Sequence, residues 1–187
     1  MGHTGAVGNK PTGPIRGVAA IELRKWQRDD KASVLEAFSS ADMRNQSSFP
    51  ITSTTEAAAW IEQVLASWDA GKAYCWAIAR DGGEPVGAVT VSALDRVHDI
   101  GWISFWTSEA ARGGGLASTG TRMLADWCFK ELGLFRLELG HRTNNPASCK
   151  VARQAGFLVE GLERAKLSYG DERFDVELHA KLATDPH

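Results

Sequence analysis

A mixed α/β domain built around one β-sheet is the fold class this sequence predicts, and three observations carry that reading. Strand-like and helix-like patterns follow one another along the 187 residues as strand, two helices, a run of strands, helix, strand, helix and two strands. One strand pattern, Ile100 to Thr107, is apolar on both faces (Trp102 and Trp106 on one, Ile103 and Phe105 on the other), which places it centrally in a sheet. The composition, 43% hydrophobic and 24% charged, is that of an ordinary globular chain whose length suits one core. No internal repeat marks a second domain. The expected organisation is a flexible, Gly- and Pro-bearing N-terminal arm over residues 1–18 and a single domain over residues 19–184.

Each element has its own signal. Ala20 to Trp26 alternates, with Ile21 and Leu23 opposite Glu22 and Arg24, as a strand does. Asp29-Asp30 stands where a cap would precede a helix carrying Val34, Leu35 and Phe38. Residues 42–50 are polar and irregular. Thr54 and Thr55 then precede a second helix with Ala58, Ile61, Leu65 and Trp68 at helical spacing and Gly71 just past its end. Tyr74 to Arg80 and Val86 to Leu94 flank Asp81-Gly82-Gly83-Glu84, a hairpin signal. Gly115 to Leu132 is the clearest helix: Leu116, Met123, Leu124, Trp127 and Cys128 share one face, and Ser118, Arg122, Asp126 and Lys130 recur on the opposite side. Phe135 to Gly140 is a short strand. Ala147 to Ala155 is a short helix with Pro146 in its first turn and Gly156 as its stop. Leu162 to Tyr169 and Phe174 to Leu182 alternate around Gly170-Asp171. In the last strand Phe174, Val176, Leu178, Ala180 and Leu182 face one way, and Arg173, Asp175, Glu177, His179 and Lys181 the other.

Charge and cysteines narrow the function classes. A net charge of −2 argues against a protein that grips nucleic acid through a basic surplus, so no nucleic-acid partner is expected. No apolar run is long enough to span a bilayer and the N-terminus lacks a signal-peptide core, so no membrane partner is expected either. Cys75, Cys128 and Cys149 are odd in number and far apart, which speaks against a disulfide framework and for a reduced, cytoplasmic setting. No Cys-x-x-Cys and no His/Cys pair stands at metal-ligand spacing, and no metal is expected.

The informative stretch is FWTSEAARGGGLASTGTRML. A strand ends at Thr107, a short loop follows, and Arg112-Gly113-Gly114-Gly115 opens the best helix of the chain. The first turn of a helix leaves backbone N–H groups unpaired and carries partial positive charge. Glycines let an anion approach those groups, and Arg112 adds forked, permanently charged donors. Taken alone, three glycines can also be a mere flexible turn. A phosphate-binding P-loop is ruled out because Leu116 follows Gly115 where that loop needs Lys. The dinucleotide fingerprint Gly-x-Gly-x-x-Gly matches at Gly113 and Gly115, with Glu138 near the distance of a ribose-binding acid. Ser118, however, replaces its third glycine, and five residues separate strand from glycines.

Arg112-Gly113-Gly114-Gly115-Leu116-Ala117 resembles the R/Q-x-x-G-x-G/A coenzyme A motif of the GNAT superfamily, and NNPASCKVARQAGFLVEG resembles the N-x-x-S…GF…EG signature of its RimJ/RimL-type branch. Asn145 and Ser148 fall on the N-x-x-S positions, followed by Gly156-Phe157 and Glu160-Gly161. The similarity covers about residues 20–182.

That resemblance implies an N-acetyltransferase with a mixed, mostly antiparallel sheet, helices on both faces and a splay between the central strands. Acetyl-CoA would be the cosubstrate, and the acceptor a small-molecule or peptide amine. Pantetheine would meet the backbone of Phe105, Trp106 and Thr107. The pyrophosphate would sit on the N–H groups from Arg112 to Ala117, with Ser118 nearby, and the Trp106 side chain would serve the core. Asn145 is by position an N-cap and by resemblance a pantetheine contact. Ser148 would face the sulfur and protonate the departing thiolate. A backbone N–H near Trp106 or Thr107 would receive the oxyanion. For the general base the leading residues are Asp99, at the start of the central strand, and His141, after the next one; His98 and Glu109 stand behind them. Leu167 takes the place where some members carry a strand carboxylate. Cys149 reads as packing. A homodimer is plausible from sheet edges and tryptophans. The rival readings are a non-catalytic acyl-CoA-binding module and a dinucleotide enzyme.

Overall fold

The computed structural model describes residues 21–40, 43, 47, 49–80 and 83–186. The expected N-terminal arm, and most of the polar stretch 42–50, lie outside the described residues. Seven strands form one sheet in the order β1-β2-β3-β4-β5-β7-β6. They are β1 (Ile21–Lys25), β2 (Tyr74–Arg80), β3 (Pro85–Asp95), β4 (Ile100–Thr107), β5 (Arg136–Arg142), β6 (Leu158–Tyr169) and β7 (Glu172–Leu182). Every neighbouring pair is antiparallel except β4–β5, which is parallel. A parallel neighbour needs a long crossover, and the helix α3 (Leu116–Lys130) supplies it. A doubly wound parallel sheet, which the dinucleotide reading requires, is therefore absent, and that reading falls.

The helices take opposite faces. On one side α1 (Lys31–Ser39) and α2 (Thr54–Asp69) pack Val34, Phe38, Ala57 and Ile61 against Cys75, Ala77 and Ala88. On the other, α3 and α4 (Pro146–Gln154) cover Ile78, Val89, Ile103, Leu137 and Leu139 with Leu116, Leu124, Trp127 and Ala152. Each fully buried Leu or Ile contributes roughly 1.5–3 kcal/mol over leaving it exposed, so the α3 face is a principal support of the sheet.

Two cap assignments differ from the sequence expectation. Asp30 is occupied by the Arg24 guanidinium, at 2.8 Å to both oxygens, and by the Gln27 N–H at 2.7 Å, so its side chain does not cap α1. The α2 cap is Ser53, whose Oγ accepts the Glu56 N–H at 3.2 Å, while the Glu56 carboxylate accepts the Thr52 N–H at 2.7 Å. β6 begins at Leu158, earlier than expected, and its edge exposes Leu158, Val159 and Leu162.

The largest difference concerns β7. The alternation is as predicted, but its polar side is a solvent face only at its start: Arg173 is exposed, whereas His179 and Lys181 are buried. Lys181 Nζ donates to the Ala155 carbonyl at 3.1 Å, and burial holds its pKa below the ordinary lysine value of 10.5 against the pull of Asp126. The folded chain thus binds this proton less tightly than the unfolded chain. Stability accordingly rises with pH in the window just below 10.5 and is lower under the protonating conditions beneath it. Lys181→Met keeps the buried stem and removes the charge. We expect thermal melts near neutral pH to show a gain of about 1 kcal/mol and the alkaline rise of the wild type to vanish. A loss of stability at every pH would refute this.

Candidate active site

The two parallel strands part company early. β4 and β5 pair only over Ile100–Trp102 and Arg136–Glu138, while β4 runs on to Thr107 and β5 to Arg142. Ladder alternation identifies the groups left facing the gap. The Ser108 N–H donates to the Val86 carbonyl, so the even-numbered residues of β4 hydrogen-bond to β3, and Ile103, Phe105 and Thr107 turn their backbone N–H and C=O toward β5. The Thr143 N–H likewise donates to the Asp175 carbonyl, so Gly140 and Arg142 turn their backbone toward β4. The result is a wedge open at the C-terminal ends of both strands, faced by the backbone of Phe105 and Thr107 on β4 and of Gly140 and the Arg142 N–H on β5, while the Arg142 carbonyl accepts the Asn145 N–H at 2.9 Å. Phe105 and Thr107, not Trp106, offer their N–H groups to it. Trp106 bonds to β3 and stacks its side chain with Trp26, 6.0 Å between ring centroids, and with Phe38 and Trp60.

Both helices that follow these strands start at the wide end of the wedge, as crevices at the carboxyl ends of parallel strands do. Before α3, Arg112, Gly113 and Gly114 are exposed. Gly113 (φ +82°) and Gly115 (φ +73°) hold left-handed backbone that a side chain would strain. A Cβ at Gly113 would meet nothing within 4 Å. The turn is therefore open to a ligand. The helix ladder begins with the Thr119 N–H on the Gly115 carbonyl at 3.0 Å, and no side chain caps the start. The N–H groups of Leu116, Ala117 and Ser118 precede that ladder and form an anion seat. The Leu116 side chain is buried beneath it, and Ser118 Oγ donates back to the Gly115 carbonyl at 2.9 Å, bracing the turn.

At α4, Asn145 is the N-cap: its Oδ1 accepts the Ser148 N–H at 3.1 Å. That bond fixes the first turn and leaves the half-buried Ser148 in the third helical position.

The base candidates fare differently. Asp99 opens β4 at its paired end, its carbonyl accepting the Phe135 and Arg136 N–H groups, some eight residues or roughly 26 Å of strand from Thr107. Both it and the exposed His98 stand at the end of β4 opposite the wide end of the wedge. Glu109 is exposed on the loop beside the glycine turn. His141 stands at the right end, but its ring leans toward β7, away from β4. Its Nε2 lies 2.9 Å from His179 Nε2 and 3.4 Å from Glu177 Oε1, and its Nδ1 lies 3.0 Å from the Arg142 carbonyl. His141 is thus bonded within this cluster. Cys149 closes the group, Sγ 3.4 Å from Glu177 Oε1. Burial works against the Glu177 charge, yet hydrogen bonds from Cys149 and His179 and the two imidazoles hold its carboxyl below the usual range. A cleft of about 430 Å³ opens onto this cluster from the side of α4 that carries Cys149 and Arg153. Glu177 and His179 were not foreseen from the sequence. Their spacing on one strand face was visible, but the β5–β7 register that opposes Glu177 to His141 is tertiary information.

A family model described as an acetyltransferase (GNAT) domain matches residues 20–158. The probable N-acetyltransferase YjcK of Bacillus subtilis is 31% identical over 101 residues, 54% of this chain and 56% of that protein. The ribosomal-protein-serine acetyltransferase of Escherichia coli is 26% identical over 99 residues, 53% of this chain and 55% of that protein. These matches span about half the length of the curated relatives. Among solved structures, RimJ of Mycobacterium smegmatis, in complex with CoA-disulfide, has a TM-score of 0.79 at 24% identity, covering 87% of this chain and 82% of that one. At that identity the likeness is one of fold.

Proposed function

The chain belongs to the GNAT acetyltransferase family, and on that premise we propose that it is of the RimJ/RimL type and moves an acetyl group from acetyl-CoA to a primary amine by direct attack in a ternary complex. The carrying observation is the open glycine turn at the head of α3, set beside the wedge between β4 and β5. The diphosphate rests on the α3 N–H groups with Arg112 beside it. Pantetheine runs into the wedge, extending the sheet by hydrogen bonds to Phe105, Thr107, Gly140 and Arg142.

In that pose the thioester carbonyl lies against β4, where a free N–H of Phe105 or Thr107 receives the oxyanion. The amine attacks the carbonyl carbon, the tetrahedral adduct collapses, and the C–S bond breaks. Ser148 gives the leaving sulfur its proton and is reprotonated, through water, by the proton that the amine nitrogen releases as the adduct collapses. Asp99 and His141 are not part of this scheme. The acceptor is a peptide N-terminus or a small amine; the ribosomal-protein-serine acetyltransferase among the relatives supports including ribosomal N-terminal peptides among the candidates. We place the reaction in the cytoplasm, a setting that suits three unpaired cysteines.

The test is thiol release from acetyl-CoA by the full chain against a panel of N-terminal peptides, polyamines and amino acids, with mass spectrometry of the acceptors. Release together with an acetylated acceptor is expected for at least one class. Tight coenzyme A binding with no turnover on any amine would favour the non-catalytic acyl-CoA-binding reading instead.

A further inference from the structure

We propose that His141 on β5, Cys149 on α4, and Glu177 and His179 on β7 form a binding site for one zinc-type divalent transition-metal ion, which pins α4 to the sheet. The inference is independent of the acetyl-transfer reading. Two imidazoles, a thiol and a carboxylate from three separate elements place one ligand atom each within 4.8 Å of one another. The individual separations are 2.9 Å between the two Nε2 atoms, 2.9 Å from His179 Nε2 to Glu177 Oε1, 3.4 Å from His141 Nε2 to that oxygen, and 3.4 Å from Cys149 Sγ to it. A four-coordinate zinc ion with bonds of about 2.0–2.3 Å spaces its ligands by roughly 3.3–3.7 Å. The cluster already brackets that geometry, and a small opening of the imidazole pair with an inward turn of the half-buried Cys149 would meet it.

Hydrogen bonding alone serves these atoms poorly. His141 Nδ1 faces a carbonyl, which can only accept, so the proton of the neutral ring sits on Nδ1 and Nε2 presents a lone pair. His179 Nε2 then has one proton for two acceptors, His141 Nε2 and Glu177 Oε1, and the Cys149 S–H adds a second donor to that carboxylate oxygen. Lone pairs converge on a centre with too few hydrogens between them, an arrangement a cation resolves. His179 Nδ1, buried and without a hydrogen-bond partner among the described residues, shows how little else this ring has to bond.

Outer partners of the kind metal ligands use are also in place. The Nδ1 bond of His141 to the Arg142 carbonyl orients its ring, and Arg153 Nε donates to Cys149 Sγ at 3.3 Å, which fixes the position of the sulfur. Nitrogen, sulfur and oxygen donors in this mixture suit zinc and cobalt and not magnesium or calcium. The cleft beside Cys149 gives an ion its way in. The site also has a structural reason: α4 buries only Ala152 within its length, yet it carries Ser148. A metal bridging Cys149 to β5 and β7 would fix that helix.

The experiment uses chelator-treated full-length chain. Zn²⁺ is titrated against a fluorescent chelator, and Co²⁺ is followed by absorbance. One equivalent should bind, Co²⁺ should give the intense visible bands of a tetrahedral centre with a near-ultraviolet thiolate-to-cobalt band, and Zn²⁺ should raise the melting temperature. Cys149→Ser removes the thiolate band, abolishes the thermal shift and weakens Zn²⁺ by about a hundredfold or more. Glu177→Gln, a change of one atom at a half-buried site, weakens it comparably with the thiolate band retained. Binding without the thiolate band, or affinity and thermal shift unchanged in both variants, would overturn the proposal, as would no binding by the wild type.

Discussion

Arg112→Glu should lower the affinity of the full chain for coenzyme A by about two orders of magnitude or more while leaving its melting temperature nearly unchanged. A hydrogen bond to a charged group is worth about 1.5–3 kcal/mol, and reversal puts a repelling charge where an attracting one stood, so a loss of roughly 3–4 kcal/mol, several hundredfold, is the scale. Arg112 is exposed, and substitutions at exposed positions usually change stability little. Titration calorimetry at low and at high salt reads both parts of the claim. The gap between wild type and variant should narrow as salt rises, because screening weakens attraction and repulsion alike. A variant that binds coenzyme A as the wild type does would remove the diphosphate from the α3 turn, and the transferase reading would lose its main support.

That turn was legible in the sequence because every part of it is contiguous. Arg112 to Ser118 is one run of chain; the glycines announce the left-handed backbone that Gly113 and Gly115 adopt, and the apolar periodicity from Leu116 announces the helix on whose first-turn N–H groups the proposed diphosphate seat rests. The place of Asp99 was legible too. A residue opening an eight-residue strand stands at the opposite end from the loop that closes it, and only the latter meets the helix N-termini. The exact donors in the wedge were not legible. Whether Phe105 or Trp106 turns its N–H toward β5 depends on the phase of the β3–β4 ladder, which no local pattern encodes.

The cluster beneath α4 was hidden for a related reason. Period-two alternation put Glu177, His179 and Lys181 on one face of β7, but which face a helix covers is decided by packing. A polar run on an alternating strand reads as solvent-facing by default, and here His179 and Lys181 are buried. Cys149 and His141 likewise carry no short-range metal spacing; they meet because β5 leads directly into α4, which folds back over β5 and β7.

Ser148→Ala is the second large effect expected, and it separates chemistry from binding. The α4 cap uses the Ser148 backbone N–H and the Asn145 side chain, so alanine leaves the helix start intact. The diphosphate seat is on α3, so coenzyme A affinity should stay within about threefold, while kcat falls by about a hundredfold, the lower range for loss of a positioned proton donor. The pH profile carries the decisive signature. A thiolate needs a proton donor to leave readily only while its conjugate thiol is the stable form in water, below an ordinary thiol pKa of roughly 8.5. The variant's deficit should therefore shrink as pH climbs past that value. A hydroxyl that merely packs would give a deficit of a few-fold or less that is flat across the same range, and the proton-donor role would then have to be taken from Ser148.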